Sequence, residues 1–107
     1  MKNPKTETMI LNDPLCGSRL LGKHDWPFRI ERRGEEHVLL ANRWAVTISF
    51  GGGYVEPRVS PHNRDENEFD FQPGMKIVRK VETKKKYPNN PDSGFTVERV
   101  TYSIKHN

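Results

Sequence analysis

Apolar residues along this chain recur at every second position in short runs broken by turn residues, and that spacing predicts strands. Phe28 and Ile30 alternate with Arg29 and Glu31 before a break at Arg33 and Gly34, which reads as strand then turn. His37 to Ala41 is a second strand candidate and contains the longest apolar run, Val38 to Ala41. After a joint at Asn42 and Arg43, Trp44, Val46, Ile48 and Phe50 repeat with period two while Ala45, Thr47 and Ser49 take the other face. That is the pattern of a strand with one buried side. Gly51, Gly52 and Gly53 interrupt it, and Tyr54 to Val59 resumes an extended run around Pro57, whose missing N–H donor suits an edge or bulge. Residues 60–70 carry Ser, Pro, His, Asn, Arg and a cluster of acids and read as the clearest loop. Met75 to Thr83 and Phe95 to Ile104 then form the arms of a long hairpin, with Lys84 to Gly94 as its tip. Phe95 and Val97 are out of phase with Val100, Tyr102 and Ile104, so a bulge is expected near Glu98 and Arg99.

The first 26 residues are less patterned. Residues 1–8 are polar and read as a flexible arm that docks only at Met9 to Leu11. Arg19 to Leu21, between Gly17 and Gly22, fit a short strand or a helical turn, and Cys16, just after Asn12, Asp13 and Pro14, reads as a loop residue. The expected fold is mainly β, a small antiparallel barrel or strongly curved sheet of six or seven short strands. The alternative is α+β, with one or two short helices at residues 12–22 or 35–45. Residues 9–107 are expected to form a single β-rich domain, since 107 residues suit one core.

Composition sets limits on that core. Hydrophobic residues are 33% of the chain, so the core is modest, and Trp26, Trp44 and Phe50 are expected in it. Truncating any of them there costs about 3–5 kcal/mol. No apolar run approaches the roughly 20 residues that span a bilayer, and the N-terminus has no signal-like apolar region. Cys16 is the one cysteine, which excludes an internal disulfide and any multi-cysteine zinc motif and suits a reducing, cytoplasmic setting. His24, His37, His62 and His106 stand at no metal-binding spacing. The Gly51 to Gly53 run lacks the Lys and Ser or Thr of a phosphate loop. No cofactor and no metal site is predicted.

Charge is the strongest signal. Residues 1–74 hold 10 Lys and Arg against 11 Asp and Glu, net −1, while residues 75–107 hold 8 against 3, net +5, so the whole excess of +4 arises in the last third. Cations beside aromatic residues suit nucleic acid, because cations neutralise phosphates and release counterions while rings stack on exposed bases. The leading expectation is therefore a noncatalytic nucleic-acid-binding module, with DNA or RNA held by a basic C-terminal hairpin. Its contact residues are Lys76, Arg79, Lys80, Lys84, Lys85, Lys86, Tyr87 and Arg99. A different class uses the same hairpin against an acidic protein surface, as a small inhibitor or adaptor of the phage or mobile-element type. A third is a metal-dependent nuclease, in which Asp70 and Glu82, followed by Lys84, resemble paired carboxylates and a charge-stabilising lysine. The acids Asp65, Glu66, Glu68 and Asp70 are otherwise expected in a solvated loop able to mask the basic hairpin by pairing with it.

Overall fold

The computed structural model describes residues 5–85 and 96–106, and these form eight strands and one helix. The strands fall into two four-stranded sheets. The first is ordered β1 (Lys5–Leu11), β7 (Met75–Lys85), β8 (Thr96–Lys105) and β4 (Thr47–Ile48); the second is ordered β2 (Phe28–Arg33), β3 (Glu36–Asn42), β6 (Glu66–Asp70) and β5 (Arg58–Val59). Pairing is antiparallel throughout except between β4 and β8. The mainly β expectation holds, as two sheets and not as a closed barrel.

The helix α1 (Pro14–Lys23) lies where the α+β alternative set one, and Cys16 belongs to it, not to a loop. Asp13 explains why. Its carboxylate oxygen accepts the Cys16 N–H at 2.7 Å, and Pro14 follows at the first helical position, where its missing donor costs nothing. The other end closes as the N–H groups of Asp25 and Trp26 reach back to the carbonyls of Gly22 and Leu21, with Asp25 in the left-handed region at φ 55°. The helix packs on β1 of one sheet and β2 of the other, so it bridges the two. Gly17 permits this: a Cβ there would lie 2.7 Å from Ile30 Cδ1 and 3.3 Å from Leu11 Cδ2.

A single cluster of buried residues draws on both sheets. Met9, Leu11, Met75, Ile77, Tyr102 and Ile104 come from the first, Phe28, Leu39, Ala41 and Phe69 from the second, and Leu21 from the helix. Tyr102 stands edge-on to Phe28 and Trp26, with ring centroids 5.0 and 5.9 Å away. Val38 and Leu40 are also buried, but alternation turns them to the opposite face of their sheet. Arg29, Glu31 and Arg33 of β2, Glu68 and Asp70 of β6 and Arg58 of β5 share that face by register, and their long side chains roof the two apolar residues.

Four further expectations change. Lys5–Thr8 are the start of β1, paired from Lys5↔Val81 inward, and not part of an arm. Residues 66–70 are a strand and not loop, with Glu68 and Phe69 buried. The predicted strand from Trp44 to Phe50 shrinks to Thr47–Ile48. Val46 is buried at its base, but Trp44 and Phe50 are 78% and 54% exposed. Neighbouring backbone decides this: Val46 N–H turns back to the Asn42 carbonyl at one end, and the three glycines, all at positive φ, turn the chain at the other. No bulge interrupts β8, whose pairing with β7 is unbroken from Lys76↔Lys105 to Lys85↔Thr96. Val97 thus falls on the outer face and is exposed, because the hairpin extends past the core that would require it inward.

Candidate functional site

The register of the first sheet sorts the C-terminal cations between its two faces. Lys76, Val78, Lys80 and Glu82 of β7 share the outer face with Arg99, Thr101, Ser103 and Lys105 of β8, with Thr6, Thr8 and Ile10 of β1 and with Thr47 of β4. This face is concave. Thr6, Val78, Lys80, Glu82, Arg99, Thr101 and Ser103, together with Thr47, Ser49 and Tyr54, line a hollow of about 550 Å³. Hydroxyls form much of its floor and cations stand along it. Lys80 Nζ lies 3.5 Å from Glu82, and Lys105 Nζ lies 5.1 Å from the centre of the Tyr54 ring. Lys76 and Lys105 face each other directly across the ladder, a like-charge pairing that disfavours the strand contact. Among the described residues no carboxylate forms an ion pair with Lys76, Lys105 or Arg99.

Of the predicted contact residues, Lys76, Lys80 and Arg99 are brought together on this outer face. Arg79 is not. It turns to the inner face, where it is half-buried, donates to the Tyr102 hydroxyl at 3.3 Å and lies 3.6 Å from Glu7. Alternation along β7 separates Arg79 from Lys80, although they are neighbours in sequence. Lys84 and Lys85 close β7 opposite Val97 and Thr96, and Lys86 and Tyr87 lie outside the described residues. Tyr102 is core and offers no face for stacking. Lys105, Tyr54 and the hydroxyl floor were not among the predicted contacts. Lys105 was visible in the charge count, but only the register shows it opposite Lys76.

The acids expected to mask the hairpin are engaged elsewhere. Arg29 donates to Glu66 through Nη2 at 2.8 Å and Nε at 3.1 Å. Arg58 donates to Glu68 at 2.9 Å and to Asp70 at 2.6 Å, and Arg33 binds Glu31 at 3.0 Å. Hydrogen bonds to these carboxylates hold the Arg29 and Arg58 guanidiniums above their ordinary pKa, against a smaller opposing effect of burial. Burial alone would raise the pKa of the Glu68 carboxyl, but hydrogen bonds from Arg58 and Ser60 and the charges of Arg58 and Arg33 outweigh it and hold the group below its ordinary value. One Glu68 oxygen lacks a directional hydrogen bond, although Arg33 Nη1 approaches it to 3.3 Å. The contact there is charge against charge.

Asp70 and Glu82 do not come together. Asp70 ends β6 in the second sheet on Arg58, while Glu82 stands in the first sheet beside Lys80. Among the described residues no three of His, Cys, Asp and Glu gather as a metal-binding group, and no helix is long and apolar enough to cross a membrane. A second hollow, of about 420 Å³, is lined by Glu35, Glu36, His37 and Asp70 and has the opposite charge character. Compared with protein-family models, curated proteins and solved structures, the chain finds no match.

Proposed function

We propose that this protein is a noncatalytic nucleic-acid-binding module that holds a phosphate backbone on the concave outer face of its first sheet. One observation carries the reading: the acids of the second sheet are paired with that sheet's own arginines, while on the outer face of the first sheet Arg99 lines the hydroxyl-rich hollow and Lys76 and Lys105 share its face, none of the three in a carboxylate ion pair among the described residues. Lysine and arginine neutralise phosphates, and threonine and serine hydroxyls donate to phosphate oxygens, which positions a chain of either sugar without reading its bases. Such a module works in the reducing cytoplasm, where a single helical cysteine needs no partner.

The test is a binding titration at several salt concentrations with wild-type protein and with Lys76→Ala, Lys80→Ala, Arg99→Ala and Lys105→Ala combined. Wild-type affinity should fall steeply with salt. The variant should bind more weakly, with the log–log slope reduced by about 0.7–0.9 for each phosphate that is no longer neutralised. An unchanged slope and affinity in the variant would remove the concave face from the reading. Failure to bind DNA or RNA at low salt, with capture of an acidic protein instead, would favour the inhibitor or adaptor class.

A further inference from the structure

Trp44 and Phe50 leave large aromatic surfaces in water at the two ends of β4, the strand that forms one wall of the concave face. Trp44 is nonetheless held in place. Its indole N–H donates to Asp65 at 3.0 Å, its backbone N–H donates to the Asn42 side chain at 2.8 Å, and the Arg43 guanidinium lies 5.6 Å from its ring centre. Arg43 is tied in turn: its N–H donates to the Asp65 carbonyl at 2.8 Å and its guanidinium to the Arg64 carbonyl at 3.0 Å. A ring tethered at its indole N–H, with Arg43 over one face and 78% exposed, leaves its other face to solvent and loses less freedom on binding than an untethered side chain. Trp44 is three residues from Thr47, which lines the hollow, so their Cα atoms are at most about 11 Å apart. Phe50 adjoins Ser49, another lining residue.

We infer that the ligand of the concave face is single-stranded nucleic acid, with Trp44 as a platform on which an unpaired base stacks while the cations of the sheet hold its backbone. This rests on the reading of that face as a phosphate-binding surface. The distinction from duplex follows from where the base faces are. In a duplex each base is covered above and below by its neighbours, whereas an unpaired base can turn out and lay its face on an indole ring.

Tryptophan fluorescence reports on this directly, because the chain has two tryptophans and the other, Trp26, packs against Tyr102. Oligothymidylate and oligouridylate of about twelve nucleotides, within the range one small β domain covers, would be titrated beside a blunt duplex of equal length. Either single strand should quench the emission and bind more tightly than the duplex. In Trp44→Phe the remaining emission, from Trp26, should not respond, and affinity should be largely retained. Trp44→Ala should weaken single-strand binding roughly 5- to 150-fold and leave duplex binding unchanged. Single strands that bind without quenching, or with undiminished affinity for Trp44→Ala, would overturn the inference. A duplex bound as tightly as the single strands would also overturn it and leave the phosphate-binding face standing. No binding by any of the three at low salt would overturn both.

Discussion

Glu68 is the charged side chain among the described residues that the fold buries, at 4% exposure, and it shows how a carboxylate joins a small core. Two hydrogen bonds from Arg58 and the nearby Arg33 offset the cost of removing it from water. Its carboxyl pKa lies below the unfolded value, so its contribution to stability is complete above the ordinary carboxylate pKa and is lost as pH falls through the lower folded value. Glu68→Gln keeps the shape and removes the charge. It should cost about 1–3 kcal/mol at neutral pH, and urea titrations between neutral and acid pH should show a shallower loss of stability than in wild type. Asp70→Asn serves as the comparison, because Asp70 and its partner Arg58 are 65% and 48% exposed and such a pair is worth at most about 1 kcal/mol. None of this is visible along the chain. Glu68 reads as one acid of a solvated loop, and only residues 10 and 35 positions away bring the cations to it.

The helix and the strands divide by whether their signals are local. Phe28–Arg33, the turn at Gly34 and the β7–β8 hairpin are all legible, because alternation and turn residues occur together within each. The start of α1 is equally local, in Asp13 and Pro14, but no clear apolar period follows it to mark a helix. β6 is not legible. In Glu66–Asp70 only Phe69 is apolar, and burial of its outward side depends on arginines from β2 and β5. Two glycines of α1 separate local propensity from packing. Gly22 has open space around it, so Gly22→Ala should raise stability by about 0.5–1 kcal/mol through helix propensity alone. Gly17 lies against Ile30 and Leu11, so Gly17→Val should lower stability by about 1–3 kcal/mol through overpacking. Chemical denaturation of the two variants beside wild type checks both signs.

Across the molecule the two sheets differ in the charges they leave without an opposite partner. The second sheet pairs Arg29, Arg33 and Arg58 with its own acids; the first pairs Arg79 and Lys80 with Glu7 and Glu82 but leaves a like-charged pair, Lys76 and Lys105, directly opposed beside a hollow. A surface shaped for stability alone would place opposite charges there. Lys76→Glu makes that change, setting a carboxylate directly opposite Lys105. The free protein should gain about 0.2–1 kcal/mol in urea unfolding, while affinity for nucleic acid falls and its salt dependence becomes shallower. A variant that loses stability would show that the opposed lysines do not strain the free sheet, and one that binds as wild type does would show that Lys76 has no part in holding a polyanion.

The charge excess of the last third, the long hairpin and the mainly β class are properties of residue order, because alternation, turn residues and net charge act over short stretches of chain. What a charged or aromatic side chain meets is set by register and by contacts between distant strands. Alternation turned Arg79 inward and Lys80 outward; strand pairing set Lys105 across from Lys76 and Arg58 across from Glu68; the turns on either side of β4 left Trp44 and Phe50 in water. A one-residue change of register would turn Arg79 outward and Lys80 inward and unmake the pairings of Lys76 with Lys105 and Arg58 with Glu68, and register is a relation between strands that no single strand's sequence contains.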